Sequence, residues 1–346
     1  MSYFGVSLRN GVGIGLGNTA AVNTSTISGG PSLVLDFLNN TLDSRITFTR
    51  STTATYTDSS GAIATAAVNV PRFDYNPVTL APKGLLIEEQ RTNLLLNSAV
   101  LSLQTVTTAA TAYTLSFYGT GTIVLSGTYS ATVVGNGAYP TRTTLTFTPT
   151  AGALVLTITG SVQNAQLEAG SFATSYIPTT IAQVTRTADA ASMTGTNFSS
   201  WYNANEGTFF IDASWGTPTT TPPANGRSLF TVNNSASVTV LHTLYNGAGQ
   251  AVFRSTNDAG VGQTFLSYSS GAAIINSKFG CAYKINDYAF IASGQTIQTS
   301  STAAVPTTVN QLLIGSQGSP FEYAYIKNII YYPRRLTNQE LRVITS

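Results

Sequence analysis

The chain has 346 residues, 42% of them hydrophobic and only 9% charged, with 16 basic against 14 acidic side chains and a net charge of +2. An ordinary globular protein carries about 25% charged residues, so serine, threonine and amide side chains must supply much of the solvation. Near-neutrality excludes the electrostatic footprint of a nucleic-acid binder, the single Cys281 excludes an intrachain disulfide, and no run of about 18 apolar residues is present to span a membrane.

In residues 1–30, Gly11, Gly13, Gly15 and Gly17 alternate with Val12, Ile14 and Leu16. A period of two predicts an extended strand with one apolar and one bare face, which lets another backbone approach closely. The glycine spacing is not that of a dinucleotide loop. A disordered terminus and a docking arm both fit; the docking reading makes Val12, Ile14 and Leu16 the contact residues. The start, Met1-Ser-Tyr-Phe-Gly5, lacks a basic segment followed by an apolar run, so no secretory signal is expected.

Residues 31–103 hold short strand patterns at Leu33–Leu38 and Ile46–Arg50, with turns at Asp58-Ser-Ser-Gly61 and Asn76-Pro77. From 104 to 168 the alternation is dense, at Tyr113–Phe117, Thr122–Leu125, Ser130–Val134, Thr143–Phe147, Leu154–Ile158 and Gln163–Glu168. Short strands at this spacing predict a small sandwich. Thr179–Ser200 reads as a polar connection with Trp201-Tyr202 packing at its end. Beyond it a longer all-β block runs from Gly207–Trp215 to Phe321–Pro333 and closes on Tyr331-Tyr332, read as core or a trimer contact. A helix is predicted over Arg334–Arg342, with Thr337 as N-cap and Glu340 completing a capping box. The fold class is all-β: an extended arm, a small β-sandwich and a larger C-terminal sandwich.

Three phrases occur in order: Phe48-Thr-Arg-Ser-Thr-Thr-Ala-Thr-Tyr56 with Asn69-Val-Pro-Arg-Phe-Asp-Tyr75, then Lys83-Gly-Leu-Leu-Ile-Glu-Glu-Gln-Arg-Thr-Asn-Leu-Leu-Leu-Asn97, then Ala165-Gln-Leu-Glu-Ala-Gly-Ser-Phe-Ala-Thr-Ser-Tyr-Ile-Pro178. Over roughly 46–185 they resemble a signature of bacteriophage virion proteins of the tail-fibre and head-spike type, in which a β-rich leader precedes carbohydrate-binding-like sandwiches. The tail, from Leu312-Leu-Ile-Gly315 through Tyr332 to the capped helix, resembles the last strands of concanavalin-A-like, laminin-G-type jelly rolls over about 205–346. These likenesses divide the chain into an arm (1–30), a leader (31–103), a small carbohydrate-binding-like sandwich (104–185) and a lectin jelly roll (186–346).

Chemistry is sparse. His242 is the only histidine, in a strand pattern between Leu241 and Leu244, and reads as a packed residue. Zinc needs several Cys or His ligands, and no nucleophile elbow surrounds a serine. A glycosidase needs two facing carboxylates about 5–10 Å apart; Glu206 and Asp212 merely bracket a strand, and Glu88 and Glu89 are adjacent and so point to opposite faces. Cys281 reads as a small buried hydrophobe. No cofactor is expected; calcium at Asn257-Asp258 is the one metal the residue types admit, against a plain turn. For glycans, Trp215, Tyr245, Arg254, Asn257 and Asp258 are the candidate residues.

The resemblances imply a non-enzymatic virion subunit (fibre, spike or head decoration) on the virion surface, made in the host cytoplasm. They further imply a homotrimer attached to capsid or tail proteins through the arm and adhering to host-surface or environmental glycans. Two other readings remain: a polysaccharide depolymerase, and an inert capsid or tail decoration with no glycan ligand.

Overall fold

The computed structural model describes residues 27, 29–215, 227–235, 240–245, 250–269, 276–315 and 323–346, with the backbone alone at Trp215, Arg227, Val240, Leu244, Tyr245, Ser269, Asn276 and Tyr323. The arm residues Val12, Ile14 and Leu16 lie outside the described residues. The protein is almost entirely β, and its strands form two sandwiches.

The larger sandwich faces two sheets. One has eight strands in the order Gln298–Ser300, Tyr288–Ala292, Asn276–Lys284, Glu206–Trp215, Tyr323–Tyr332, Pro82–Glu88 and Arg72–Tyr75, with Leu33–Asp36 paired to the second half of Tyr323–Tyr332. The other runs Thr47–Thr49, Ala190–Thr194, Gln311–Ile314, Arg227–Asn233, Val240–Tyr245, Gln250–Thr256 and Gly262–Ser269. Alternating side chains of both fill one core, where the ring of Phe209 stacks on that of Phe230 from the opposite sheet at 4.4 Å. Cys281 is buried in this core beside Thr243 Oγ1 at 2.9 Å, and burial pushes its thiol up.

The leader of 31–103 does not stand apart. Leu33, Leu35, Phe37, Ile46, Phe48, Leu85 and Ile87 lie in the same core as Phe209 and Ile329, and the strands Leu33–Asp36 and Pro82–Glu88 both pair with Tyr323–Tyr332. The stretch Thr179–Ser200 also differs from the polar connection expected. It supplies Ala190–Thr194, an interior strand of the seven-stranded sheet that buries Ala191 and Met193. Five residues with two inward apolar side chains fall below what periodicity detects. Trp201 belongs to the core too, with its indole N–H donated to the Asn197 carbonyl at 2.8 Å and its ring edge-on to Tyr331 at 5.0 Å. Tyr331 and Tyr332 are both buried, on opposite faces of their strand.

The smaller sandwich packs Ala131–Val134, Thr122–Gly127, Gly152–Thr159 and Gln104–Thr108 against Thr143–Phe147, Tyr113–Tyr118 and Gln163–Ala169. Its strands obey the predicted alternation: Ile123 and Leu125 are buried while Val124 between them is exposed. At the C-terminus, helix Asn338–Thr345 begins with the predicted capping box. Thr337 Oγ1 accepts from the Glu340 N–H at 3.2 Å, and the Thr337 N–H donates to Glu340 Oε2 at 2.7 Å.

Two glycines in the phrases have geometric reasons. Gly84 sits at φ +93°, where a Cβ would collide with the Ile326 carbonyl oxygen of the paired strand. Gly170, at φ +131°, leaves the space that the Arg91 guanidinium fills on its way over the Phe172 ring, 4.8 Å from its centroid. Any side chain at either site would meet both a disfavoured backbone and an occupied space.

Candidate functional site

The three phrases converge on one buried cluster of charge. Arg72 donates to Glu88 Oε2 at 2.6 Å, to Ser175 Oγ at 2.9 Å and to the Thr55 carbonyl at 2.9 Å, and its second terminal nitrogen pairs with Asp189. Asp189 also accepts from Arg50 at 3.0 Å and from the Glu88 N–H at 2.9 Å. Ser175 closes the ring by donating its N–H and hydroxyl to Glu88 at 2.7 and 2.6 Å. The side chains of Arg50, Arg72, Glu88 and Asp189 have 0% exposure. Burial alone would push the Glu88 carboxyl up, but the Arg186 and Arg72 guanidiniums and the Ser175 donors outweigh it and hold the group at about 2.

Three more polar residues of the phrases are joints as well. Asn93 donates to the Ala165 and Ile177 carbonyls at 3.0 and 2.8 Å and accepts from the Leu95 and Leu167 N–H groups at 3.1 Å each. Gln166 accepts from the Ile177 N–H at 2.6 Å, and Glu168 accepts from the Thr174 N–H at 2.6 Å. These bonds lace the loop 171–178 between the two sandwiches.

Beside that lacing lies a cleft of about 180 Å³. Tyr56, Tyr118, Tyr139, Tyr176 and Tyr325 line it, with Asp74, Lys83 and Arg142 among them. Each side comes from a different unit: Tyr56 from the hairpin Ala54–Thr57/Ile63–Ala66, Asp74, Lys83 and Tyr325 from the eight-stranded sheet, and Tyr118, Tyr139 and Arg142 from the small sandwich. Tyr118 and Tyr139 meet edge-on at 5.2 Å, and Tyr139 is anchored by donating its hydroxyl to the Gly61 carbonyl at 2.7 Å. The Lys83 ammonium stands 3.3 Å from the centre of the Tyr325 ring and 3.1 Å from Asp74 Oδ2, whose other oxygen accepts the Thr57 N–H at 2.6 Å. Burial raises the Asp74 pKa and lowers that of Lys83, in each case against the pull of the other partner. Arg142 is spread flat by donating to the Thr174 carbonyl at 2.6 Å and Ser116 Oγ at 2.7 Å, and its Nε has no partner.

Asp74 is the only carboxylate among the lining residues. A cleft of this size, below the ~300–1,000 Å³ of drug-sized pockets, suits a single sugar unit or chain end. Its rings offer apolar faces, and its hydroxyls offer hydrogen bonds.

The residues singled out from sequence lie elsewhere. The side chains of Trp215 and Tyr245 fall outside the described residues. Arg254 is exposed on the strand Gln250–Thr256, in register with His242 on one side and Phe265 on the other. Asn257 Oδ1 accepts from the Ala259 and Val261 N–H groups at 3.0 Å each, the geometry of a turn. Asp258 accepts N–H and hydroxyl bonds from Thr307 and Thr308 at 2.6–3.0 Å and clamps that segment. These bonds engage the oxygens that a calcium site would draw on, and among the described residues no three Cys, His, Asp or Glu side chains gather to hold a metal. His242 is fully buried with neither ring nitrogen partnered, and burial, with Arg254 adding to it, lowers its pKa to about 3. It is a packed neutral residue. Sequence reasoning passed over the cleft: Tyr56, Asp74 and Lys83 stand in the quoted phrases, but nothing local links them to Tyr118, Tyr139 and Arg142.

No family profile matches the sequence, and no curated protein matches it. Among solved structures, the chain is similar to the CBM40 module of the Ruminococcus gnavus IT-sialidase bound to α2,3-sialyllactose, with 21% identity, a TM-score of 0.34, and 42% of this chain and 84% of that one aligned. It is also similar to the leech intramolecular trans-sialidase, at 20% identity and TM-score 0.34 over 41% of this chain and 23% of that one. A botulinum neurotoxin type C structure, described by its interaction with two ganglioside molecules, aligns at 8% identity and TM-score 0.37 over 45% of this chain and 39% of that one.

The buried cluster yields a pH test. Because the Glu88 pKa is depressed on folding, from an ordinary 4.5 to about 2, its contribution is complete above pH ~4.5 and disappears as the pH falls through ~2. Glu88→Gln should therefore cost about 3–5 kcal/mol at pH 7, measured by denaturant unfolding, with the deficit relative to wild type shrinking below pH ~4.5. A deficit that stays constant down to pH 2 would contradict an ionised Glu88.

Proposed function

We propose that the chain is a glycan-binding adhesion subunit of a bacteriophage virion, a fibre, spike or decoration, and that it acts by binding alone. The tyrosine-lined cleft between the two sandwiches carries the glycan part of this reading. It combines aromatic rings, those of Tyr56, Tyr118 and Tyr325 held on strands, with tyrosine hydroxyls and only one carboxylate, features that suit a sugar ring. The virion part rests on the ordered phrases, of whose polar residues Arg50, Arg72, Glu88, Asn93, Gln166, Glu168 and Ser175 serve the junction beside the cleft. A lone carboxylate favours binding over hydrolysis, which takes two. On this reading the protein sits on the virion surface, anchored through the arm at residues 1–30.

The test is binding of host-surface oligosaccharides to the full chain by calorimetry. Tyr139→Ala and Tyr118→Ala should each weaken binding about tenfold, equivalent to 1.4 kcal/mol, and no reducing ends should appear on prolonged incubation. Phe265→Ala, on the outer face of the seven-stranded sheet, should leave affinity unchanged. Unaltered binding in both tyrosine variants would remove the cleft from the site, and release of reducing ends would favour the depolymerase.

A trimer follows from the same family reading, since virion fibres are built by sharing interfaces. Light scattering on the purified chain should give about three times the 36.3 kDa chain mass. A particle of 36.3 kDa would contradict it.

A further inference from the structure

Arg186 is the member of the buried cluster whose donors are not used. Its residue is 1% exposed, yet Nε and Nη2 have no hydrogen-bond partner. Nε stands 3.6 Å from Glu88 Oε2, and Nη1 reaches only the Thr187 carbonyl, at 3.4 Å. A guanidinium presents five N–H donors in a fixed plane, and leaving them dry and unpaired inside a protein is costly. The ionic contacts around it are also unbalanced. Arg50, Arg72 and Arg186 face two carboxylates, Glu88 and Asp189, so the cluster carries one positive charge too many.

Arg186 borders a cavity of about 30 Å³ whose other walls include Thr53, Thr65, Ile177, Pro178 and Val184. Thr53, Thr65 and Val184 are exposed and form the mouth, while Arg186 is buried and Thr55, also lining the cavity, spends its hydroxyl on the Tyr176 carbonyl. The volume admits a monatomic ion or about one or two waters. Water would satisfy donors but leave the excess charge; a small anion would answer both.

We infer that this cavity is a binding site for a monovalent monatomic anion of the halide class, chloride in physiological media, held against the Arg186 guanidinium with the Thr53 and Thr65 hydroxyls at the entrance. The ion completes the charge balance of the junction between the sandwiches and so stabilises the fold that presents the cleft.

Crystals of the full chain soaked in sodium bromide test the site directly. An anomalous peak within hydrogen-bond reach of Arg186 is expected, and its absence would overturn the inference. In parallel, exchanging gluconate for chloride at fixed ionic strength should raise the wild-type Tm by a few degrees, the shift of a ligand that binds only the folded state. Arg186→Gln should lose that dependence. If that variant does not fold, the wild-type titration still decides: a Tm indifferent to chloride would overturn the proposal, and a bromide peak seen beside it would mean binding at crystal concentration only.

Discussion

One guanidinium organises this molecule. Arg72 holds Glu88 and Asp189 at once, and through Ser175 and Thr55 it grips the end of the small sandwich and the start of the Ala54–Thr57 hairpin. Taking these charges out of water is expensive, and an ion pair of this kind often stabilises no more than well-packed hydrophobes would. What hydrophobes could not supply is direction. Each carboxylate oxygen fixes a particular strand end, so the cluster sets where three separate stretches of chain meet. That meeting point forms the walls of the tyrosine cleft, which has Thr55, Lys83, Ser175 and Tyr176 among its lining residues.

The low charge content gives this cluster its weight. In a chain with 30 charged side chains of either sign, five are spent on one dry junction: Arg50, Arg72, Glu88, Arg186 and Asp189. Several other joints are made by amides and hydroxyls, as at Asn93, Gln166 and Thr179. Such bonds cost less to desolvate than ions and are directional in the same way. A surface built from hydroxyls leaves few charges to compete with a neutral ligand, and the cleft's own pair, Lys83 with Asp74, is internally balanced.

Much of the local architecture was legible because it depends on near neighbours in sequence. The strands of the small sandwich follow the alternation of Ile123 and Leu125 or Leu154 and Leu156, and the C-terminal helix begins where Thr337 and Glu340 demand. Pairing across long distances was not legible. Leu33–Asp36 joins Tyr323–Tyr332 nearly 300 residues away, and a four-residue strand carries no mark of its partner. The same limit hid the cleft, since Tyr118 and Tyr139 become site residues only once the small sandwich is set against Asp74 and Lys83. The phrases were visible as a family likeness, but their physical role as buried joints emerged only from the hydrogen bonds of Glu88, Asn93 and Glu168. Candidates chosen as isolated surface residues fared differently: Asn257 and Asp258 serve a turn and a clamp, because Asn and Asp satisfy backbone groups as readily as ligands.

The most direct test of the account is a crystal structure of the full chain with a host-surface oligosaccharide. A sugar ring should be seated among Tyr56, Tyr118 and Tyr139, beside Arg142. A sugar bound instead on the outer face of the seven-stranded sheet beside Arg254, with the tyrosine cleft empty, would contradict it.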